Sequence, residues 1–146
     1  LALQWRIVDG GNSGILYRCP ENARTSWHVA AEMQVLDNTS NRGRKPAQLA
    51  GALYDLYAPS EDATRPLGEW NEARVVARGN HVEHWLNGVK LLEYELGSED
   101  WQQRIAGSKF RSMKEFATSP KGHICLQDRT KRLEFRNIKI LDLKAP

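Results

Sequence analysis

Hydrophobic and polar residues alternate along most of this chain, in short runs that glycine and asparagine interrupt. Leu3, Trp5 and Ile7, for example, alternate with Gln4 and Arg6. A period of two residues places the apolar side chains on one face of a β-strand. The runs predict strands at residues 1–8, 14–19, 28–36, 50–57, 72–78, 81–86, 89–95, 123–128 and 133–142. Closely spaced strands with little helix between them indicate an all-β fold, an antiparallel sandwich.

The clearest stretch of this pattern runs from Glu72 to Glu95 and contains two turns. Asn87-Gly88 lies between two strand-like runs and favours a type I′ turn, in which both central residues have positive φ. Gly79-Asn80 can form the preceding turn in the same way. The sequence therefore predicts a three-stranded antiparallel meander.

One short helix is predicted from Glu99 to about Gly107. Ser98 is a favourable N-cap, and acidic residues in the first turn suit the helix dipole. Trp101 and Ile105 are four residues apart and would lie on the same helical face. We expect this helix to cover one edge of the sandwich.

The parity of polar residues within the strands indicates a candidate functional face. Met33 and Val35 share one side of their strand, and Glu32 and Gln34 share the other. If the apolar side chains point between the sheets, Arg18, Glu32, Gln34 and Gln127 could line one concave outer face together, although alternation by itself favours simple exposure to solvent, as on one side of most antiparallel sheets. His84 points to the same side of its predicted strand as apolar neighbours. This position fits either a hydrogen-bonded core histidine or a catalytic one.

Composition narrows the class of protein without naming a function. At 146 residues, with 40% hydrophobic and 27% charged residues, the chain is predicted to form one globular domain over residues 1–146. No apolar run approaches the roughly 18 residues of a membrane helix, so no membrane span is expected. The net charge of +3 is spread among both signs, which argues against nucleic acid as a partner. The cluster around Arg42 and Arg44 is interpreted as a solvated loop, and Cys19 and Cys125 as free thiols.

The standard catalytic motifs, such as a nucleophile elbow or a phosphate-binding loop, are absent from the sequence. Aromatic residues such as Tyr54 and Trp85 could stack on a sugar ring, although aromatics in strands are more often core. Taken alone, the residues indicate only a β-sandwich with a candidate carbohydrate-binding face.

Eight ordered motifs, however, closely resemble one protein family. They are Gly11-Asn-Ser-Gly-Ile, Glu32-Met-Gln-Val-Leu-Asp-Asn, Ala50-Gly-Ala-Leu-Tyr-Asp-Leu-Tyr, Gly68-Glu-Trp-Asn, Gly79-Asn-His-Val-Glu-His-Trp-Leu-Asn-Gly, Ser108-Lys-Phe, Gly122-His-Ile-Cys-Leu-Gln-Asp and Phe135-Arg-Asn-Ile-Lys-Ile. The family is that of the 3-keto-disaccharide hydrolase domains, formerly domain of unknown function 1080. The resemblance implies a concanavalin-like or laminin-G-like jelly roll. It also implies that this chain lacks the N-terminal strands of a full family domain, so that an open sheet edge could support self-association.

The resemblance implies a function on glycosides whose sugar carries a ketone at C3. Such a ketone acidifies the proton at C2, and the enolate formed by its removal can expel the substituent at C1, after which water can add. The site then needs a base near C2, a donor for the enolate oxygen and an acid for the leaving group.

Residues of the matching motifs can be assigned to these roles. The resemblance implies Glu32 as the base, with His84 as the second choice. Arg18, Lys109 and Gln127 would polarise the ketone or hold hydroxyl groups. The remaining candidates for binding the sugar are Gln34, Asp37, Tyr54, Asn71 and Trp85.

Two departures from the family leave alternatives open. Family members often carry a histidine after the Leu-Asp-Asn motif and another after Leu-Gln-Asp, where this chain has Thr39-Ser-Asn-Arg and Arg129-Thr130. No metal ligand is assigned, and whether a divalent metal is required stays open. The rival interpretations are a non-catalytic carbohydrate-binding module and a structural partner that pairs through an open edge. The family implies a periplasmic or extracellular location.

Overall fold

The computed structural model describes residues 1–129 and 131–143, which form two antiparallel sheets packed face to face. The five-stranded sheet has the order β6 (Val89–Glu95), β5 (His81–Leu86), β4 (Asn71–Arg78), β1 (Ala2–Ile7) and β8 (Leu133–Lys139). The three-stranded sheet has the order β3 (Ala31–Leu36), β2 (Asn12–Cys19) and β7 (His123–Leu126). The predicted antiparallel β-sandwich is confirmed. The predicted domain 1–146 also includes Thr130 and residues 144–146, which lie outside the described residues.

The core lies between the two sheets and follows the alternation of the sequence. Leu3, Trp5 and Ile7 of β1 are buried against Ile15 of β2 and Met33 of β3. Burying a side chain of this size stabilises the fold by roughly 1.5–3 kcal/mol. On the opposite face of β2, Leu16 packs in a smaller buried cluster with Ala30, and the polar positions beside it can form a site.

The predicted meander is confirmed, with β4, β5 and β6 paired in sequence order. Asn87 and Gly88 have φ of 50° and 87°, as a type I′ turn requires. At the other turn Gly79 has a positive φ of 57°, but Asn80 is not among the positive-φ residues. The two turns therefore differ in type, although both join antiparallel neighbours.

The predicted strand 50–57 is wrong, because two residues in it have left-handed backbone. Gly51 has a φ of 84° and Asp55 a φ of 62°, which breaks the extended chain. The segment instead folds along the edge of β3, where the Gly51 N–H donates to the Gln34 carbonyl at 2.8 Å and the Tyr54 N–H to the Glu32 carbonyl at 3.0 Å. This arrangement places Tyr54 beside Glu32.

The predicted helix is confirmed as α1 (Glu99–Ala106). The Ser98 hydroxyl accepts a hydrogen bond from the Trp101 N–H at 3.1 Å, which caps the first turn. Trp101 is buried and stacks on Tyr94 of β6, with 5.4 Å between ring centroids. Short 3-10 turns occur at Ser26–His28, Thr39–Asn41, Pro46–Gln48 and Lys109–Ser112. In the described part of the chain no helix has the length and apolar character to cross a membrane.

Candidate active site

A polar cavity of about 340 Å³ lies on the outer face of the three-stranded sheet. Glu32 and Gln34 of β3 point into it because they alternate with the core residues Met33 and Val35. The loops around the sheet build its walls. The lining residues are Asn12, Trp27, Glu32, Gln34, Arg44, Tyr54, Lys109, Gln127 and Arg129.

Glu32 is a nearly buried carboxyl group at the base of this cavity, with 8% of its surface exposed. Burial raises the pKa of Glu32 to about 7, while the charges of Lys109 and Arg129 oppose that rise. Among residues 1–129 and 131–143, no group donates a hydrogen bond to this carboxylate. A carboxyl group with a pKa near 7 can both accept and return a proton at neutral pH.

Gly14 gives the Glu32 side chain the space it occupies. Gly14 lies on β2 opposite Gln34, directly beside Glu32 on the same outer face. A Cβ atom at Gly14 would lie 2.6 Å from the Glu32 Cδ, closer than van der Waals contact allows. The absence of a side chain at this position is therefore needed for the observed position of the carboxyl group.

Lys109 places a cation next to Glu32. Its Nζ lies 4.6 Å from the ring centroid of Trp27 and 4.2 Å from that of Tyr54, so two aromatic faces hold it. Its backbone N–H donates to the Asp55 carboxylate at 3.1 Å, which fixes the start of the turn. Burial lowers the pKa of Lys109, and the nearby charge of Glu32 opposes that change. The pair places a proton acceptor beside a cation within one cavity.

Two glutamines and an asparagine add neutral hydrogen-bonding groups. The Gln34 amide is 2% exposed and donates to the Asn12 side-chain oxygen at 2.9 Å. The Gln127 N–H donates to the Gly14 carbonyl at 2.9 Å, which continues the sheet past the end of β7. The Gln127 side-chain oxygen accepts from Arg129 Nε at 3.1 Å. These amides can bind the hydroxyl groups of a sugar.

Replacing Glu32 with Gln should change the free energy of unfolding in a pH-dependent way. An acid whose pKa is raised by folding carries no penalty below about pH 4.5, where both states are protonated, and the full penalty above pH 7. We expect Glu32→Gln to be more stable than the wild type by about 3 kcal/mol at pH 8, with little difference at pH 4. Urea denaturation at both values measures this. The exposed strand variant Glu72→Gln is the control, and an equal offset for Glu32→Gln at both pH values would contradict the raised pKa.

The structure brings together five of the residues predicted from the sequence. Glu32, Gln34, Tyr54, Lys109 and Gln127 all line the cavity. Their roles in chemistry and binding stay predictions.

His84 lies in the core and is fully buried between the sheets. Its ring nitrogens pair with the Tyr17 hydroxyl at 2.8 Å and with the Gly51 carbonyl at 3.0 Å. Burial lowers the pKa of His84 to about 4, so the imidazole is neutral at pH 7. The sequence pattern left two interpretations of His84, a core histidine and a catalytic one. Its burial and its two hydrogen bonds fit the core histidine.

Arg18 does not join the face formed by Glu32, Gln34 and Gln127, and that part of the prediction is wrong. Arg18 has a left-handed φ of 55° where the pairing of β2 with β7 shifts register, and such a bulge redirects the side chain. It donates to the Gly79 carbonyl. It lines a separate groove of about 950 Å³ at another part of the sandwich, where Ile140 is 70% exposed.

Asp37, Asn71 and Trp85 also lie away from the cavity. Asp37 and Asn71 line a smaller pocket of about 210 Å³. The Asp37 carboxylate accepts from the Gly10 N–H at 2.9 Å, and Asn71 Oδ1 accepts from the Arg65 N–H at 2.8 Å, so both organise loops. Trp85 lies on the outer face of the five-stranded sheet, with the Arg74 guanidinium 4.3 Å above its ring.

Several cavity residues were not among the predicted site residues. Trp27 and Arg44 come from segments that the sequence pattern assigns to a strand boundary and a solvated loop. Arg129 follows β7, and in the sequence it marks only a departure from the family, together with Thr130, which lies outside the described residues. Gly14 offered a signal, because a glycine inside an alternating strand often marks a close approach.

The residues described by the structure contain one group of side chains with metal-ligand spacing. It consists of His81, Glu83 and Glu93 on the hairpin of β5 and β6, with ligand atoms within 4.8 Å of one another. This group shares no residue with the polar cavity.

The fold and the cavity together define a β-sandwich protein with a polar site on the outer face of its smaller sheet. The chain belongs to the family of 3-keto-alpha-glucoside-1,2-lyase-like domains, whose model matches residues 1–141. This confirms the family resemblance seen in the sequence motifs.

Individual relatives support the same assignment. A 3-keto-disaccharide hydrolase of Bacteroides thetaiotaomicron is 29% identical over 164 aligned positions, which cover 96% of this chain and 57% of the relative. The chain thus spans a little over half the length of that relative. A crystal structure from Parabacteroides distasonis, of a protein classed as a glycosyl hydrolase, is 32% identical with a TM-score of 0.85, covering 93% of this chain and 67% of that one. A second such structure from the same organism, 24% identical with a TM-score of 0.72 over 94% of this chain and 76% of the other, shows the shared fold.

Proposed function

We propose that this domain cleaves 3-keto-glycosides by removing the proton at C2 and eliminating the substituent at C1. The observation that carries the proposal is Glu32, a nearly buried carboxyl group with a pKa of about 7, next to the Lys109 ammonium in a polar cavity. Family membership and the name of the Bacteroides relative support the choice of substrate class.

The proposed first step is proton transfer from C2 of the sugar to the ionised Glu32 carboxylate. The electron pair of the C2–H bond moves into the C2–C3 bond, and the C3 oxygen becomes an enolate. Lys109 stabilises that oxygen, because a nearby cation in a partly buried site favours developing negative charge. Burial keeps the pKa of Glu32 close to neutral, which suits a base that acts at pH 7.

The proposed second step expels the C1 substituent as the C3 ketone re-forms and a double bond appears between C1 and C2. The leaving oxygen needs a proton, and the newly protonated Glu32 can supply it. Addition of water across the C1–C2 bond would then give the free 3-keto sugar. Over the whole cycle Glu32 returns to its starting ionised state.

The neutral groups of the cavity would hold the sugar ring in position. Gln34 and Gln127 offer amide donors and acceptors for hydroxyl groups, and Trp27 and Tyr54 offer aromatic faces. The position of the C2 hydrogen relative to Glu32 affects the rate as much as the choice of base does, because proton transfer depends on close approach of the two groups.

The direct assay is release of the aglycone from a chromogenic 3-keto-glucoside, in both anomeric forms, with and without a chelator. We expect release by the wild-type protein, and no release from the parent glucoside without the ketone, because its C2 proton is not acidic. Saturable sugar binding without any release would overturn the proposal and favour the carbohydrate-binding module. Loss of release in the chelator would show that a metal contributes.

A further inference from the structure

Positive charge exceeds negative charge in the cavity. Arg44, Lys109 and Arg129 line it together with a single carboxyl group, that of Glu32. The Asp55 carboxylate accepts a hydrogen bond from the Lys109 backbone N–H, and its negative charge offsets one further positive charge. The balance is still positive, and it increases whenever Glu32 is protonated.

The proposed elimination uses only one of these cations. Lys109 faces the enolate oxygen in that scheme, whereas the two guanidinium groups have no role in proton transfer. Arg129 acts on both partners of the reaction centre through its charge, since it lowers the pKa of Glu32 and that of Lys109. Arg129 is thus a second cation close to Lys109, and a bound anion would reduce the repulsion between the two.

Both guanidinium groups are held at the Nε position by an amide oxygen. Arg129 Nε donates to the Gln127 side-chain oxygen at 3.1 Å, and Arg44 Nε donates to the Asn41 side-chain oxygen at 2.9 Å. Within residues 1–129 and 131–143, no hydrogen bond occupies the terminal Nη groups of either side chain. A guanidinium fixed in this way presents paired N–H donors, the geometry that binds a carboxylate, sulfate or phosphate.

From these observations we propose that the cavity contains an anion subsite, formed by Arg44 and Arg129, for a negatively charged group on the substituent attached to C1. The inference rests on the proposed function for the placement of the sugar ring beside Glu32 and Lys109. It goes further by naming the substrate class as glycosides with an anionic aglycone.

Binding tests this subsite separately from catalysis. The probes are 4-carboxyphenyl glucoside and its uncharged amide, 4-carbamoylphenyl glucoside, in both anomeric forms and without the C3 ketone, so that neither can react. We expect the wild-type protein to bind the acid about tenfold more tightly than the amide at low salt, as one ion pair with the half-buried Arg44 and one with the exposed Arg129 allow. Added salt should reduce this preference, because solvent reaches both guanidinium groups and dissolved ions screen their charge.

Variants of the two arginines test whether they cause the tighter binding of the acid. Arg129→Gln and Arg44→Gln should each reduce the preference for the acid severalfold and leave binding of the amide nearly unchanged. Arg42→Gln is the matched control, because Arg42 is exposed on the same loop as Arg44 but does not line the cavity. Equal binding of acid and amide by the wild type, no detectable binding of either, or an equal loss in Arg42→Gln would overturn the subsite.

Turnover separates failure of the subsite from failure of the proposed function. The same two aglycones are attached to the 3-keto sugar, and kcat/KM is compared. A preference for the acid in both binding and turnover supports both proposals. Release of both aglycones at equal rates would overturn the subsite alone, whereas selective binding of the acid without release of either would overturn the proposed function alone.

Discussion

Glu32→Gln should lower kcat for a 3-keto-glycoside by about 100-fold or more, since a positioned base contributes roughly that factor or greater. Gln has almost the same shape as Glu but cannot take the C2 proton. The cavity should keep its geometry, because the carboxylate receives no hydrogen bond from the described residues that the amide would lose. Aglycone release under saturating substrate measures the effect.

Two observations control this experiment. Glu72→Gln alters an exposed glutamate in β4 and should leave kcat unchanged. Circular dichroism and thermal unfolding of Glu32→Gln should show an intact fold. A Glu32→Gln protein with near-normal kcat would show that another group removes the proton.

Gly14→Ala should lower kcat/KM by about 10- to 100-fold with little loss of stability. The added methyl group would lie 2.6 Å from the Glu32 Cδ and would displace that carboxyl group. Because Glu32 is a flexible side chain that ends in an open cavity, it can move at small cost to the fold. Under the proposed function the displaced carboxylate would no longer lie at the C2 hydrogen, and a shift of about 1 Å can reduce a rate by about 100-fold.

Gly43→Ala is the matched control, since a Cβ atom there meets nothing within 4 Å. It should retain wild-type kcat/KM. A Gly14→Ala protein that is stable and fully active would show that the observed position of Glu32 is not the one used in catalysis.

The sequence was sufficient to predict the sandwich, because apolar alternation and turn chemistry act locally. Asn87-Gly88 defines a turn by its own backbone preference, and Glu32 and Gln34 take their outward direction from the parity of Met33 and Val35. These features depend on a few neighbouring residues. Such local preferences do not depend on tertiary contacts.

The remaining parts of the site depend on contacts between distant segments. Lys109 reaches Glu32 only because Asp55, Trp27 and Tyr54 hold it, and no local pattern records those neighbours. Left-handed backbone at Arg18 is likewise set by the bulge between β2 and β7. Alternation along the sequence does not predict the side-chain direction at such positions, because it applies only to a regular strand.

The central claim is that aglycone release depends on removal of the proton at C2 by a base held in the position of Glu32, and an isotope effect in the wild type and in Gly14→Ala tests it most directly. Aglycone release is measured at low substrate concentration for a 3-keto-glucoside with hydrogen or deuterium at C2, so that the rates report kcat/KM. We predict slower release from the deuterated substrate in the wild type, and a larger or equal slowing in Gly14→Ala, where the base is displaced. Equal rates for the two isotopes in both proteins would contradict the account.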